Sequence, residues 1–267
     1  MENKKIILIT GASSGIGLLI ATKLHNNGYK VFGTSRSPEK HKDKVPFELL
    51  TLDITSDESI KNCLEALFSK TQTLDVLVNN AGYLIAGSVE ETTIEMAHRQ
   101  FETNFWGSVK MTKAVLPFMR KQRSGKIITI GSLAGLIGLP FNDYYSASKH
   151  ALEGFFKSLR FEVKDFNIRV SVVEPEFFKT NIDQAAEYAE STISDYDKMR
   201  KSITDFFNTS IAKAPTPEPV ADAVIKIVKS KDPKFSYPVG GNAKFLPILQ
   251  FFSYKLFEAG FARTVKI

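Results

Sequence analysis

The stretch that decides the fold is Ile6-Ile7-Leu8-Ile9-Thr10-Gly11-Ala12-Ser13-Ser14-Gly15-Ile16-Gly17. Its first four residues are apolar throughout, the pattern of a strand buried on both faces, and a helix-period segment follows from about Gly15 to Asn27. Three glycines stand at the join. Glycine lets the backbone turn tightly and approach a bound group closely. A helix opening at Gly15 aims its free N–H groups and the positive end of its dipole at the same point. Strand, glycine turn and helix together read as a pyrophosphate cradle formed by Gly11, Ser13, Ser14, Gly15, Ile16 and Gly17.

Working outward, the pattern repeats. Val31–Thr34, Phe47–Leu52, Leu74–Val78, Lys126–Ile130 and Ile168–Val173 read as further strands, and Ser236–Val239 as a short last one. Helical patterns separate them. Thr55 with Glu58 forms a capping box for a helix through Phe68, and Thr92 with Glu95 opens a helical stretch, continuous or once broken, that reaches Gln122. Tyr144–Phe166 reads as one long helix and Pro219–Lys229 as another. Strands alternating with helices of this length imply right-handed βαβ crossovers. The predicted fold class is therefore α/β: a doubly wound, Rossmann-like parallel sheet with helices on both faces. Residues 1–267 read as a single domain, with residues 181–219 as a substrate-loop insertion and 243–267 as a C-terminal tail.

Composition narrows the function classes. The 267 residues carry 35 Lys+Arg against 29 Asp+Glu, a net charge of +6. The basic residues are scattered and no nucleic-acid-binding spacing accompanies them, so no nucleic-acid partner is expected. The single cysteine, Cys63, fits a reducing compartment, and a cytoplasmic location is expected. The four histidines lack metal-ligand spacing, so no metal is expected. No run of about 18 apolar residues suggests a membrane span.

The order Gly-x-x-x-Gly-x-Gly, then Asp53-Ile54, Asn79-Asn80-Ala81-Gly82, Asn104, Ser132 and Tyr145-x-x-x-Lys149 resembles the short-chain dehydrogenase/reductase family over about residues 5 to 180. The resemblance implies oxidoreductase chemistry on CH–OH groups with a nicotinamide cofactor. It implies Asn104, Ser132, Tyr145 and Lys149 as the catalytic set, with Asn104 holding a water in a proton relay and Lys149 also binding the nicotinamide ribose. It implies Asp53 and Ile54 at the adenine edge, and Asn80, Ala81 and Gly82 along the cofactor. After the last parallel strand it implies Pro175, Phe178 and Thr180 beside the carboxamide.

The chemistry also follows from the residues themselves. Tyr145 and Lys149 are four apart on a helix and share a face. A phenol titrates near 10, and a neighbouring ammonium favours its ionised form. Tyr144 is the rival for the proton, but it is five residues from Lys149 and on another face. Arg36, following Ser35 where an acidic residue would accept from a ribose 2′-OH, suits a 2′-phosphate, so NADP(H) is the expected cofactor. Leu133, Leu136, Ile137, Leu139, Phe141, Phe177 and Phe178 suit a small apolar alcohol or carbonyl substrate, such as a steroid, retinoid or aliphatic carbonyl. Glu176 departs from the family, which usually places glycine there; its bulk is expected to weaken cofactor binding. The Phe- and Leu-rich tail is expected to cover the pocket or join subunits of a homo-oligomer, in preference to lying on a membrane surface. The alternative function is a non-catalytic NADP(H)-binding regulatory protein. A related epimerase or dehydratase ranks below both.

Overall fold

The computed structural model describes residues 4–179 and 186–266. The chain opens with β1 (Ile6–Ile9), α1 (Gly15–Asn26), β2 (Lys30–Ser35), β3 (Glu48–Thr51), α2 (Asp57–Phe68) and β4 (Val76–Asn79). A two-residue β5 (Ile85–Ala86) precedes α3 (Ile94–Phe101), a π-helical turn (Glu102–Trp106) and α4 (Gly107–Gln122). Next come β6 (Gly125–Ile130), α5 (Asp143–Glu162), β7 (Ile168–Pro175) and β8 (Glu187–Tyr188). The chain ends with α6 (Asp197–Lys213), α7 (Glu218–Lys229), β9 (Ser236–Val239), α8 (Gly241–Phe252) and α9 (Tyr254–Val265).

Seven strands form one parallel sheet in the order β3-β2-β1-β4-β6-β7-β9. This is the doubly wound, single-domain α/β arrangement the sequence predicts. Alternation along the strands feeds two cores. Ile7, Ile9, Ile128 and Val173 pack against α1 and α7, while Leu8, Ile127 and Val172 pack against α2, α4 and α5. The order reverses between β1 and β4, so the loops at their carboxyl ends diverge and leave a crevice.

Two helix starts lie one residue beyond the expected caps. The Thr55 hydroxyl donates to the Asp53 carboxylate at 2.7 Å, and Ser56 instead caps α2 by accepting the Ser59 N–H. Likewise Thr92 donates to the Ser88 carbonyl, leaving Thr93 to accept the Met96 N–H. The break expected between Thr92 and Gln122 is the π turn, which contains Asn104. The long helix ends at Glu162 rather than Phe166, because the chain tightens into a 3-10 turn before Asn167, at φ 57°, redirects it into β7. Residues 133–139 after β6 meet the tail: Leu133, Ala134, Ile137 and Leu139 cluster with Ala243 and Phe257.

Candidate active site

A cleft of about 1240 Å³ runs across the carboxyl ends of the strands. Gly11, Ser13, Ser14, Gly15, Ile16 and Gly17 form one wall, and Ser132, Tyr145 and Lys149 another. Residues 180–185, including the expected Thr180, lie outside the described residues.

The glycine loop has the form its residues require. Gly11 and Gly15 adopt φ of 66° and 56°, backbone that other residues rarely take. A Cβ on Gly17 would lie 2.3 Å from the Gly11 carbonyl and 2.4 Å from Asn80 Nδ2. Ser14 precedes α1 without a side-chain cap, and no acidic residue stands in the first turn. The first-turn amides lack intrahelical acceptors, and a Cβ on Gly15 would meet nothing within 4 Å. Those amides and that space fit a pyrophosphate.

Thr10, not singled out from the sequence, ties the loop to the next strand. Its hydroxyl accepts the N–H groups of Asn80 (2.9 Å) and Ala81 (3.0 Å). Asn80 Nδ2 donates to the carbonyls of Thr10 and Gly11 at 2.9 and 3.1 Å. The Asn80 amide thus holds the cradle in shape, while Asn80, Ala81 and Gly82 line the cleft. At the far end Arg36 is exposed and lines the cleft, with no ion pair or side-chain hydrogen bond among the described residues. Asp53 and Ile54 line the same end. Hydrogen bonds from Thr55 hold the Asp53 carboxyl below its usual range, with Arg36 and Lys110 adding to the effect.

At the other end, α5 places its buried face through Ser146, Lys149, Glu153 and Phe156. Tyr145 lines the cleft and Tyr144 does not. Lys149 Nζ donates to the Ile130 carbonyl at 2.9 Å and sits 5.7 Å from the Tyr145 ring centre. Burial lowers the Lys149 ammonium to about 8, with Glu153 opposing. Burial also holds the Tyr145 phenol above its ordinary value, against a hydrogen bond with Ser132. Burial thus disfavours the charged form of both groups, while the Ile130 carbonyl fixes Lys149 in place.

Asn104 lies in the π turn. Its side chain is buried behind the cleft, where Oδ1 accepts the Tyr83 N–H at 3.0 Å and Nδ2 donates to the Tyr83 carbonyl at 2.9 Å. Nδ2 also meets Ser148 Oγ at 3.2 Å, and the Asn104 carbonyl accepts from Ser108. The amide braces the loop after Gly82, because the π turn directs it there.

Pro175, Glu176, Phe177 and Phe178 line the cleft, but the Glu176 carboxylate is engaged elsewhere. It accepts the Asn242 N–H at 2.6 Å, in the first turn of α8. The side chain lies over Gly240, whose added Cβ would fall 2.1 Å from Glu176 Cδ. The bulk of Glu176 is thus accommodated at α8.

Leu133, Leu139, Phe141, Phe177 and Phe178 form an apolar wall beside Ser132 and Tyr145. Ile137 belongs to the core beneath, and Leu136 does not line the cleft. Opposite, the buried Glu91 carboxylate pairs with Arg200 of α6 and accepts the Ile193 N–H at 2.7 Å. This latch holds the chain after β8 against the cleft; it joins residues about a hundred apart and carries no local motif. Behind Lys149 lie two further buried acids, Glu153 and Glu174. Neither Glu153 oxygen, nor Glu174 Oε1, has a hydrogen-bond partner among the described residues.

Comparison with known proteins agrees with this geometry. Residues 5–191 match the family model described as short chain dehydrogenase. A 3-ketodihydrosphingosine reductase of Bacteroides thetaiotaomicron is 41% identical over 239 residues, 88% of each chain. Retinol dehydrogenase 8 of Bos taurus is 34% identical over 92% of this chain and 84% of its own. The crystal structure of a short-chain dehydrogenase from Streptomyces avermitilis superposes with a TM-score of 0.87 at 32% identity, covering 100% of this chain and 98% of that one. Sequence motifs, sheet order and site geometry converge on one conclusion: the chain belongs to the short-chain dehydrogenase/reductase family of nicotinamide-dependent oxidoreductases.

Proposed function

We propose that this protein uses NADP(H) to interconvert an apolar alcohol and its ketone or aldehyde. The observation that carries the reading is the convergence of Tyr145, Ser132 and Lys149 on one cleft facing the α1 glycine loop, beside an apolar wall. Bound nicotinamide supplies or accepts the hydride. The residues of the chain manage the oxygen and its proton. The neutral Tyr145 hydroxyl donates to the substrate oxygen in the reductive direction, and the Ser132 hydroxyl donates a hydrogen bond to the same atom. Lys149, fixed by the Ile130 carbonyl, keeps positive charge beside the phenolate left behind. The Glu91–Arg200 latch and the Phe177–Phe178 wall limit water at the reacting carbon.

Arg36 supports the choice of NADP(H), since an exposed guanidinium at the end of β2 offers a bidentate partner for a 2′-phosphate. The apolar wall supports a lipid-like substrate, and the relatives named for 3-ketodihydrosphingosine and retinol point the same way. The regulatory alternative gains nothing from Glu176, whose carboxylate is engaged at α8. The experiment is a panel of ketones and aldehydes of increasing chain length, followed by NADPH absorbance. Turnover that rises with apolar chain length is the expected result. NADPH binding without turnover of any member would favour the regulatory reading.

A further inference from the structure

Thirteen large hydrophobic side chains are exposed among the described residues, and six fall between positions 245 and 256: Phe245, Ile248, Phe251, Phe252, Tyr254 and Leu256. They are not loosely scattered. In α8, Ala243, Leu246 and Leu249 face the cluster around Leu133 and Leu139, and that side accounts for pocket cover. Phe245, Ile248 and Phe252, spaced i, i+3 and i+7, form a second apolar stripe that adjoins the first and is exposed. Phe251 and Phe252, at the bend into α9, are 83% and 79% exposed. A helix with two apolar stripes needs a partner for each. The outer stripe has none among the described residues.

Charge identifies the partner. Residues 241–266 carry Lys244, Lys255, Arg263 and Lys266 against a single acid, Glu258. None of the four cations enters an ion pair among the described residues. In a twofold contact with a second copy this segment would set like charges near one another. Aromatic side chains flanked by unpaired cations instead match the boundary between acyl chains and anionic headgroups. No described helix is long and apolar enough to cross a membrane, so the contact is interfacial. Pocket cover or a subunit contact is the expectation from the sequence; the inner side of α8 provides cover, and the exposed stripe with its cations is the ground for the lipid reading.

We propose that the outer face of α8 and the start of α9 dock this protein on an anionic lipid surface. Beneath it, a smaller cavity of about 150 Å³ lies between α8–α9 and residues 133–139. Leu133, Leu139 and Phe177 line both this cavity and the cleft, so a single apolar wall separates the two. The docking does not depend on the substrate assigned above.

The test is sedimentation of the full chain with vesicles of phosphatidylcholine alone and of equal parts phosphatidylcholine and phosphatidylglycerol. Binding to the anionic vesicles, weakened by salt, is expected. Phe251→Ser/Phe252→Ser should weaken it by about tenfold or more, while thermal unfolding and NADPH affinity stay unchanged. Lys244→Glu/Lys255→Glu should weaken binding to anionic vesicles selectively. Failure of the native chain to sediment with either vesicle overturns the proposal. So does an analytical ultracentrifugation result in which the native chain is a dimer and the Phe251→Ser/Phe252→Ser variant a monomer, since the face would then be a subunit interface.

Discussion

The Glu176 carboxylate accepts the Asn242 N–H at 2.6 Å, joining the end of β7 to the first turn of α8. One bond thus connects the loop beside the reacting centre to the helix that closes the apolar cavity. An anionic side chain at a helix N-terminus also meets the positive end of the dipole. Gly240 accepts the crossing because it has no Cβ and holds φ at 109°.

Glu176→Gly should therefore destabilise the fold by about 1 kcal/mol without tightening NADPH binding. Gly240→Ala should cost more, about 1–3 kcal/mol, because strain and a clash with Glu176 combine. The double variant should lose less stability than the two singles summed, since removing Glu176 relieves the clash. Urea unfolding of the four proteins measures the coupling. Strict additivity would show that the contact is not felt, and tighter NADPH binding by Glu176→Gly would show an obstructing role.

Tyr145→Phe should lower turnover by about 10²–10⁴-fold, with NADPH affinity retained. Tyr144→Phe should turn over at close to the native rate, because Tyr144 does not line the cleft. Steady-state kinetics with one ketone separates the two. Inactivity of the Tyr144 variant with activity of the Tyr145 variant would reverse the assignment.

Arg36→Ala should weaken NADPH binding by about tenfold to a hundredfold, the loss of one charge-assisted contact of roughly 1.5–3 kcal/mol. NADH binding should change little. Fluorescence titration with both cofactors is the measurement, and equal losses for the two would contradict a 2′-phosphate contact.

Glu153 and Glu174 lie behind Lys149, and burial raises their carboxyls to about 7 and about 8. Lys157 and Lys149 act against the rise at Glu153, whereas Glu153 adds to it at Glu174. A carboxyl raised above its ordinary 4.5 binds more protons in the native state than in the unfolded chain. Its stabilising contribution is complete below pH 4.5 and is lost as pH rises through about 8. Glu174→Gln keeps a neutral group there, so the variant should gain on the native protein by on the order of 2–4 kcal/mol between those limits. Melting temperatures at a series of pH values measure the gap. Parallel curves for the two proteins would mean that Glu174 titrates normally.

Much of this molecule is legible locally. The apolar run Ile6–Ile9, the glycines that follow and the alternation of strand and helix patterns lead to the doubly wound sheet. Each signal spans a few residues whose backbone geometry determines which neighbours meet. Tyr145 and Lys149 belong with these, since helical spacing alone brings them to one face. Arg36 follows directly from its place at the end of a strand. The family motifs add the identity of the cleft.

Other features depend on which distant segments pack together. Glu176 is engaged at α8 because that helix, more than sixty residues later, presents free N–H groups within reach. Asn104 braces Tyr83 because a π turn rotates its amide behind the cleft. Thr55 and Thr92 yield their capping positions because Asp53 and Ser88 offer their hydroxyls better acceptors. Glu153 and Glu174 become a buried pair only when α5 packs on β7, and α8 shows its two apolar stripes only once one of them is covered. Spacing along the chain determines neighbours within a turn or a strand. Partners contributed by separate elements, and the burial that shifts a carboxyl or a phenol, exist only after those elements have packed and excluded water.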